Sequence, residues 1–211
     1  CGNSIYFMKI AELYFELENY EKSISSYTTF YNTNSSTFLN NLRDSRGRAY
    51  YKNAIANNEK KEVSNSNLIK SLNDFNDSIL KITTILEISD LSSLDFSSYI
   101  EKNDYESNLV KRLKWNLYYR AKVYEELAKK REINDFSKYA KLSICDLDLL
   151  LKSDDFGVSL FELIEKKSYL HYNLGEYRKS ISFIEKIILE NKNLMKNELS
   201  EIYTIIGMIQ W

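Results

Sequence analysis

The sequence predicts an all-α fold, and its composition is the main reason. Among the 211 residues there is no proline, and there are only five glycines. These two residues are the usual punctuation of tight turns and β-hairpins, so their scarcity argues against a chain of many short strands. Long helices joined by polar loops tolerate this composition. The chain also has 17 tyrosines and ten phenylalanines, and such rings commonly fill the spaces between stacked helix pairs.

Size and charge suit one helical domain over residues 1–211 with no nucleic-acid partner. Hydrophobic residues make up 44% of the chain, which supplies enough apolar surface for a core. The 29 Lys and Arg residues nearly balance the 30 Asp and Glu residues, so no bulk positive charge is present to attract nucleic acid. No run of 18 apolar residues occurs, so no transmembrane helix is expected.

A repeated eight-residue pattern indicates how the helices are arranged. Residues 17–24 and 174–181 both read Leu-x-x-Tyr-x-Lys-Ser-Ile. The pattern resembles the turn and second-helix start of a tetratricopeptide repeat (TPR) hairpin, in which a small residue lets the two helices approach closely. Ser23 and Ser180 take that small position. The resemblance implies a right-handed solenoid of antiparallel helix hairpins.

The same resemblance divides the chain into about four hairpins and a C-terminal capping helix. Ala11, Gly47, Ala121 and Ser168 fall at the small position of the first helix of each hairpin. The middle two hairpins match less closely and are expected to have lengthened helices or loops, with polar interruptions at residues 57–67 and 129–134. The expected ranges are 4–33, 40–88, 108–152 and 158–192 for the hairpins and 196–211 for the capping helix.

Residue types that support catalysis or metal binding are few and scattered. His171 is the only histidine and falls where the family places a packed aromatic ring, so we interpret it as a packing residue. Zinc needs three or four His or Cys ligands, and the chain has one His and two Cys, far apart in sequence. The glycines are isolated, so no phosphate-binding loop can be written. We predict no enzyme activity, no metal and no cofactor.

Two further sequence features have simple structural interpretations. Cys145 lies in an apolar helical pattern and is expected to be a buried, inert thiol. Asn73–Asp74 and Asp154–Asp155 have no EF-hand setting, so we interpret them as helix caps or loop residues.

The family resemblance also implies where a partner protein would bind. In the family, the first helices of successive hairpins line a concave groove. The corresponding residues here are Met8, Glu12, Phe15, Arg48, Tyr51, Lys52, Tyr118, Lys122, Glu125, Glu165, Tyr169 and Tyr172. Tyrosine and arginine commonly anchor protein interfaces. The alternative is that these tyrosines only pack between neighbouring helices. The carboxylate clamp of some family members is not matched, since Met8 and Glu12 stand at two of its positions.

The first residue suggests a membrane anchor. A chain beginning Cys-Gly-Asn resembles a bacterial lipoprotein after signal-peptide cleavage, so Cys1 is the expected lipidation site. The protein would then be attached to a membrane by lipid without spanning it. The leading expectation is a cell-envelope scaffold, lipid-anchored and facing the periplasm, that binds proteins of an envelope assembly. Alternatives are a ligand- or peptide-binding accessory component of a transporter, and a cytoplasmic adaptor if Cys1 is not a natural mature start.

Overall fold

The computed structural model describes residues 2–33, 43–99, 103–130, 133–153 and 157–190, together with Ser200, Thr204 and Gly207. These residues form eight α-helices and two short 3-10 turns, and no β-strand occurs among them. The helices are α1 Gly2–Glu16, α2 Tyr20–Thr33, α3 Asp44–Ala56, α4 Lys61–Ile85, α5 Asp104–Lys130, α6 Ile133–Leu151, α7 Leu160–Asn173 and α8 Tyr177–Glu190. The turns are Leu91–Ser93 and Phe96–Tyr99. The all-α prediction is therefore confirmed.

Each helix packs against the next one along the chain, from α1 to α8. We call α1–α2, α3–α4, α5–α6 and α7–α8 helix pairs 1 to 4, and within each pair the first is the A helix and the second the B helix. The predicted ranges 40–88 and 158–192 contain pairs 2 and 4, whereas α1 begins at Gly2 rather than at 4 and α5 at Asp104 rather than at 108. None of the described helices is both long and apolar enough to cross a membrane.

A buried serine on each B helix sets how closely the two helices of a pair approach. Its hydroxyl group donates a hydrogen bond to a main-chain carbonyl of the A helix in all four pairs: Ser23 to Ala11 at 2.9 Å, Ser71 to Gly47 at 2.7 Å, Ser143 to Ala121 at 2.9 Å and Ser180 to Ser168 at 3.0 Å. Serine is small, and its hydroxyl group finds an acceptor in the neighbouring helix. It therefore permits a close helix crossing without leaving a buried donor unpaired.

The A-helix partners of these serines are equally small. We call Ala11, Gly47, Ala121 and Ser168 the small A-helix residues. At Gly47 an added Cβ atom would lie 3.1 Å from the ring of Phe75, closer than an ordinary van der Waals contact. The sequence analysis named all four of these positions and, among the buried serines, Ser23 and Ser180.

A cation immediately before the small A-helix residue joins each of pairs 2 to 4 to the pair before it. It contacts its own B helix and the preceding B helix: Arg46 contacts Asp74 and Thr28, Arg120 contacts Asp146 and Asn76, and Lys167 contacts Phe183 and Asp148. The contacted residue lies three positions after the buried serine on the cation's own B helix. On the preceding B helix it lies five positions after the serine, in all three cases. Pairs 2, 3 and 4 therefore stack on their predecessors in the same register.

The apolar core follows this stacking. The largest cluster joins α4, α5, α6 and α7, and the segment after α4 adds Leu94 and Phe96 to it. Smaller clusters lie between pairs 1 and 2, between pairs 2 and 3, and within pair 4. The two 3-10 turns lie between α4 and α5.

Two interpretations of single residues were wrong. Cys145 is exposed, because α6 buries the neighbouring positions Ser143, Ile144 and Asp146 and turns Cys145 toward solvent. An apolar sequence neighbourhood does not decide which face of a helix a residue occupies. Asp74 is neither a cap nor a loop residue: it is buried within α4, where it receives two hydrogen bonds from Arg46 at 2.7 and 2.8 Å.

The polar stretch at 57–67, predicted to interrupt the second hairpin, belongs mostly to a lengthened helix. The helix α4 already begins at Lys61, and Ser64 and Asn67 are buried within it. The Ser64 hydroxyl donates to the carbonyl of Ala54 at 2.7 Å, so a small polar residue again marks a close helix crossing. The predicted cap helix at 196–211 lies outside the described residues except for Ser200, Thr204 and Gly207, and Cys1 and Asp154–Asp155 lie outside them too.

Candidate functional site

The twelve predicted groove residues all lie on A helices, at recurring positions relative to the small A-helix residues. Three positions before the small A-helix residue of their own helix lie Met8, Tyr118 and Glu165. One position after it lie Glu12, Arg48, Lys122 and Tyr169. Four positions after it lie Phe15, Tyr51, Glu125 and Tyr172, and five after it lies Lys52. These offsets fall on one face of an α-helix. We call the surface formed by these twelve residues the A-helix surface.

Residues of this surface meet in pairs where one A helix lies beside the next. At the α1/α3 junction, the guanidinium carbon of Arg48 lies 5.2 Å from the ring centre of Phe15. At the α3/α5 junction, the Lys122 Nζ atom lies 5.7 Å from the ring centre of Tyr51. Both are cation–π contacts. In each, the ring belongs to the residue four positions after the small residue of one A helix, and the cation to the residue one position after the small residue of the following A helix.

The α3/α5 junction is filled by aromatic rings. Tyr119, which the sequence did not single out, makes edge-to-face contacts with Tyr51 at 6.1 Å and with Tyr118 at 5.5 Å between ring centres. Burial raises the pKa of both Tyr51 and Tyr118, and Tyr118 donates its hydroxyl to the carboxylate of Glu162. Tyr51 and Tyr118 therefore pack between A helices and offer a partner little surface.

Lys122 contacts the rings of this cluster. Its ammonium group lies 5.0 Å from the ring centre of Tyr118 and 5.9 Å from that of Tyr119. Burial lowers the pKa of Lys122, and the nearby charge of Lys166 lowers it further. The aromatic faces attract the ammonium group and stabilise its charge in this partly buried place.

A cavity of about 380 Å³ opens at the α1/α3 junction. We call it the N-terminal cavity, and its lining is Glu12, Phe15, Glu16, Tyr27, Ser45 and Arg48. Burial raises the pKa of Tyr27 to about 12, so its phenol is neutral at physiological pH. Two carboxylates and one guanidinium leave the lining with a net negative charge, which favours a cationic side chain.

A second cavity of about 320 Å³ occupies the corresponding place at the α5/α7 junction. We call it the C-terminal cavity, and its lining is Glu125, Ala128, Lys129, Phe136, Tyr169, Leu170 and Asn173. Glu125 and Tyr169 in this lining hold the same helical positions as Phe15 and Arg48 in the N-terminal cavity. Tyr169 at its edge and the nearby Tyr172 are exposed.

Glu125 is the charged group buried in the C-terminal cavity. Its carboxylate lies 2.7 Å from Lys129 Nζ and 3.4 Å from Lys166 Nζ. Burial alone would raise the pKa of Glu125, but Lys166 and Lys129 together hold it below its usual value. The carboxylate is ionised at neutral pH. Lys129 also lies 3.0 Å from a carboxylate oxygen of Glu126, so the two lysines are balanced by two glutamates. Sequence reasoning found Glu125 but missed Lys166, which lies on α7 one helical turn before Leu170.

Catalytic geometry is not evident in the part of the chain that the structure describes. The Nδ1 atom of His171 lies 2.8 Å from a carboxylate oxygen of Glu176, at the end of α7. Within the described ranges, no three His, Cys, Asp or Glu side chains are grouped as a metal site requires. The arrangement offers cavities, aromatic rings and fixed charges, which are the means of binding.

Comparison with known proteins does not supply a family. No protein-family model matches the chain, and no curated protein matches it. The relation to TPR proteins therefore depends on the sequence pattern and remains a proposal.

Proposed function

We propose that this chain is a TPR-like solenoid that binds a partner protein along the A-helix surface. The observation that carries the proposal is the pair of cavities at the α1/α3 and α5/α7 junctions, which have the same helical positions in their linings. The constant register of Arg46, Arg120 and Lys167 supports the solenoid, because a repeated contact is what regular stacking of helix pairs requires.

The spacing of the cavities suits an extended segment of the partner. Neighbouring packed helices lie roughly 10 Å apart. The α1/α3 and α5/α7 junctions are two helix spacings apart, so about 20 Å separates the two cavities. An extended chain spans that distance in about six residues. The filled α3/α5 junction between the cavities would support the segment, while two of its side chains enter the cavities.

The charges indicate which side chains these are. Glu12 and Glu16 favour a lysine or arginine at the N-terminal cavity. At the C-terminal cavity, Glu125 and Glu126 balance Lys129 and Lys166, and Phe136 and Leu170 supply apolar surface. An aromatic or aliphatic side chain fits there.

The test is recovery of partners from the native cell with two matched double variants. Tyr169→Ala/Tyr172→Ala removes exposed rings of the A-helix surface, and Ile69→Ala/Leu80→Ala removes exposed apolar side chains of α4. Both should retain wild-type helicity by circular dichroism. We expect the first to reduce recovery of a specific protein at least tenfold and the second to leave it unchanged. Equal recovery with all three proteins would refute binding at the C-terminal part of this surface.

A small ligand is the second candidate, and the cavity volumes favour it. Both volumes fall at the lower end of the 300–1,000 Å³ typical of small-molecule sites. Native mass spectrometry of protein purified from its own cell distinguishes the two proposals. A bound small molecule lost in Tyr169→Ala/Tyr172→Ala would support an accessory role in transport, whereas an empty cavity with a captured protein would support the scaffold.

The lipid anchor expected at Cys1 remains a sequence prediction. It is tested separately, by fractionating native cells that produce Cys1→Ser. We expect the variant to leave the membrane fraction, and full retention there would refute anchoring through this residue.

A further inference from the structure

The helix α1, with Leu17 directly after it, carries a row of exposed apolar side chains. Tyr6 is 68% exposed, Ile10 40%, Leu13 63% and Leu17 75%. Their spacing of four, three and four residues places them in one stripe along the helix. Ala11, which faces α2, lies on another side of the helix, so the stripe is separate from the core contact of pair 1. We call these four residues the α1 stripe.

The stacking register shows what kind of surface this stripe is. Three of the stripe residues have counterparts at the same offset from the small A-helix residue of pairs 2 to 4. One position before it, Ile10 corresponds to Arg46, Arg120 and Lys167. Two after it, Leu13 corresponds to Ala49, Val123 and Leu170, and six after it, Leu17 corresponds to Asn53, Leu127 and Leu174. All of these counterparts are buried or partly buried. Ala49 clusters with Tyr27 of α2, and Val123 with Leu68 of α4, so these positions face the preceding B helix. The α1 stripe is the same stacking face, and no described residue covers it.

The flanking charges make this face complementary to itself. Lys9 and Glu16 are exposed beside the stripe, seven residues apart. Seven residues span about 10 Å along a helix, too far for these two side chains to pair with each other. Neither forms an ion pair with another residue in the described ranges.

We propose that a second copy of the chain covers the α1 stripe, with the two α1 helices antiparallel about a two-fold axis. Ile10 then faces Leu13 of the second copy, and Tyr6 faces Leu17 of the second copy. In the same register Lys9 lies beside Glu16 of the second copy. A two-fold interface must be self-complementary in this way, because each contact occurs twice.

The proposed interface predicts weak, reversible dimers. One helix of about four turns from each protomer buries less than the roughly 800 Å² per partner of a standard interface. We expect a dissociation constant on the order of 10–100 μM. Glu16 also lines the N-terminal cavity. Self-association is measured on the purified chain alone, so either proposal can fail without the other.

Sedimentation equilibrium of the 1–211 chain over about 5–500 μM, at low salt, tests the proposal. Wild type should shift from monomer to dimer across this range. Leu13→Glu should weaken association at least about a hundredfold, because it places a carboxylate in the apolar seam. Leu80→Glu, which changes a similarly exposed leucine of α4, should associate as wild type does.

Charge reversal tests the antiparallel register. Lys9→Glu alone and Glu16→Lys alone should each weaken self-association about tenfold, because both ion pairs become like-charge contacts. An equimolar mixture of the two variants should recover wild-type association as a heterodimer. Circular dichroism checks that each variant is folded. A monomeric wild type, a dimer insensitive to Leu13→Glu, or a mixture that fails to recover would overturn the proposal.

Discussion

The buried pair Arg120–Asp146 gives the sharpest test of how the helix pairs are joined. Asp146 accepts hydrogen bonds from Arg120 at 2.6 and 2.8 Å, and its side chain is 3% exposed. Arg120 also donates to Asn76 of α4 at 2.9 Å. Asp146→Ala leaves the guanidinium buried without its counter-charge. Breaking a buried pair in this way costs about 3–5 kcal/mol of unfolding free energy.

The assay is urea unfolding at pH 7, followed by circular dichroism. With a slope of about 2–3 kcal/mol per molar urea, the midpoint of Asp146→Ala should fall by roughly 1–2 M. The matched control is Asp77→Ala, which removes a partly exposed carboxylate that lies 2.8 Å from Lys81 and 3.8 Å from Arg43. A surface pair of this kind contributes about 0–1 kcal/mol, so the control midpoint should barely move.

A double variant separates the loss of the contact from the cost of the unpaired charge. Arg120→Leu/Asp146→Leu removes both charges and fills the space with apolar atoms, so we expect most of the lost stability to return. Equal midpoints for Asp146→Ala and Asp77→Ala would refute the claim that this pair is buried and paired.

Three smaller predictions follow from other contacts. Because Lys166 and Lys129 lower the pKa of Glu125 in the folded state, its charge stabilises the protein above its ordinary pKa of 4.5, and this contribution disappears as pH falls through the lowered value. The stability advantage of wild type over Glu125→Gln should therefore shrink between about pH 5 and 3 in urea titrations at each pH, and a constant difference would contradict the pairing. Ser143→Leu should cost about 2–3 kcal/mol by overpacking the α5–α6 crossing, against about 1 kcal/mol for Ser143→Ala, and equal losses in thermal melts would mean the crossing is loose. Glu18, at φ 56°, and Gly175, at φ 75°, occupy the same turn position in pairs 1 and 4. Glu18→Gly should raise the unfolding free energy by up to about 1 kcal/mol and Gly175→Ala should lower it by about as much, whereas a change of the same sign in both would contradict the matched turns.

The helix pairs were predictable because the turn pattern is local. Residues 17–24 and 174–181 specify a left-handed turn residue, an aromatic and a buried serine within eight positions. In pairs 1 and 4 the serine follows its acceptor residue by 12 positions, a spacing that a sequence pattern can register. In pairs 2 and 3 the interval grows to 24 and 22 residues. Longer helices changed the interval without changing the crossing, so Ser143 was missed.

The contacts of the cations that join the helix pairs, and the exposure of the groove residues, could not be predicted from the sequence for a different reason. Arg120 reaches Asp146 and Asn76 across intervals of 26 and 44 residues, which depend on two helix lengths and a connection. Tyr51 and Tyr172 occupy equivalent positions four residues after their small A-helix residues, yet Tyr51 is buried and Tyr172 is exposed. The difference is that α5 supplies Tyr119 beside Tyr51, and no sequence offset reveals which neighbour fills a junction.

Photo-crosslinking in the native cell tests the central claim most directly. A photoreactive amino acid replaces Lys52 or Tyr172, two exposed residues of the A-helix surface, and a control replaces Leu80 on α4. The account predicts that both surface positions crosslink to the same protein, that the adduct from Lys52 is lost when Tyr169→Ala is added, and that Leu80 gives no such adduct. The same adduct from Leu80, or none from Lys52 and Tyr172, would contradict partner binding along the A helices.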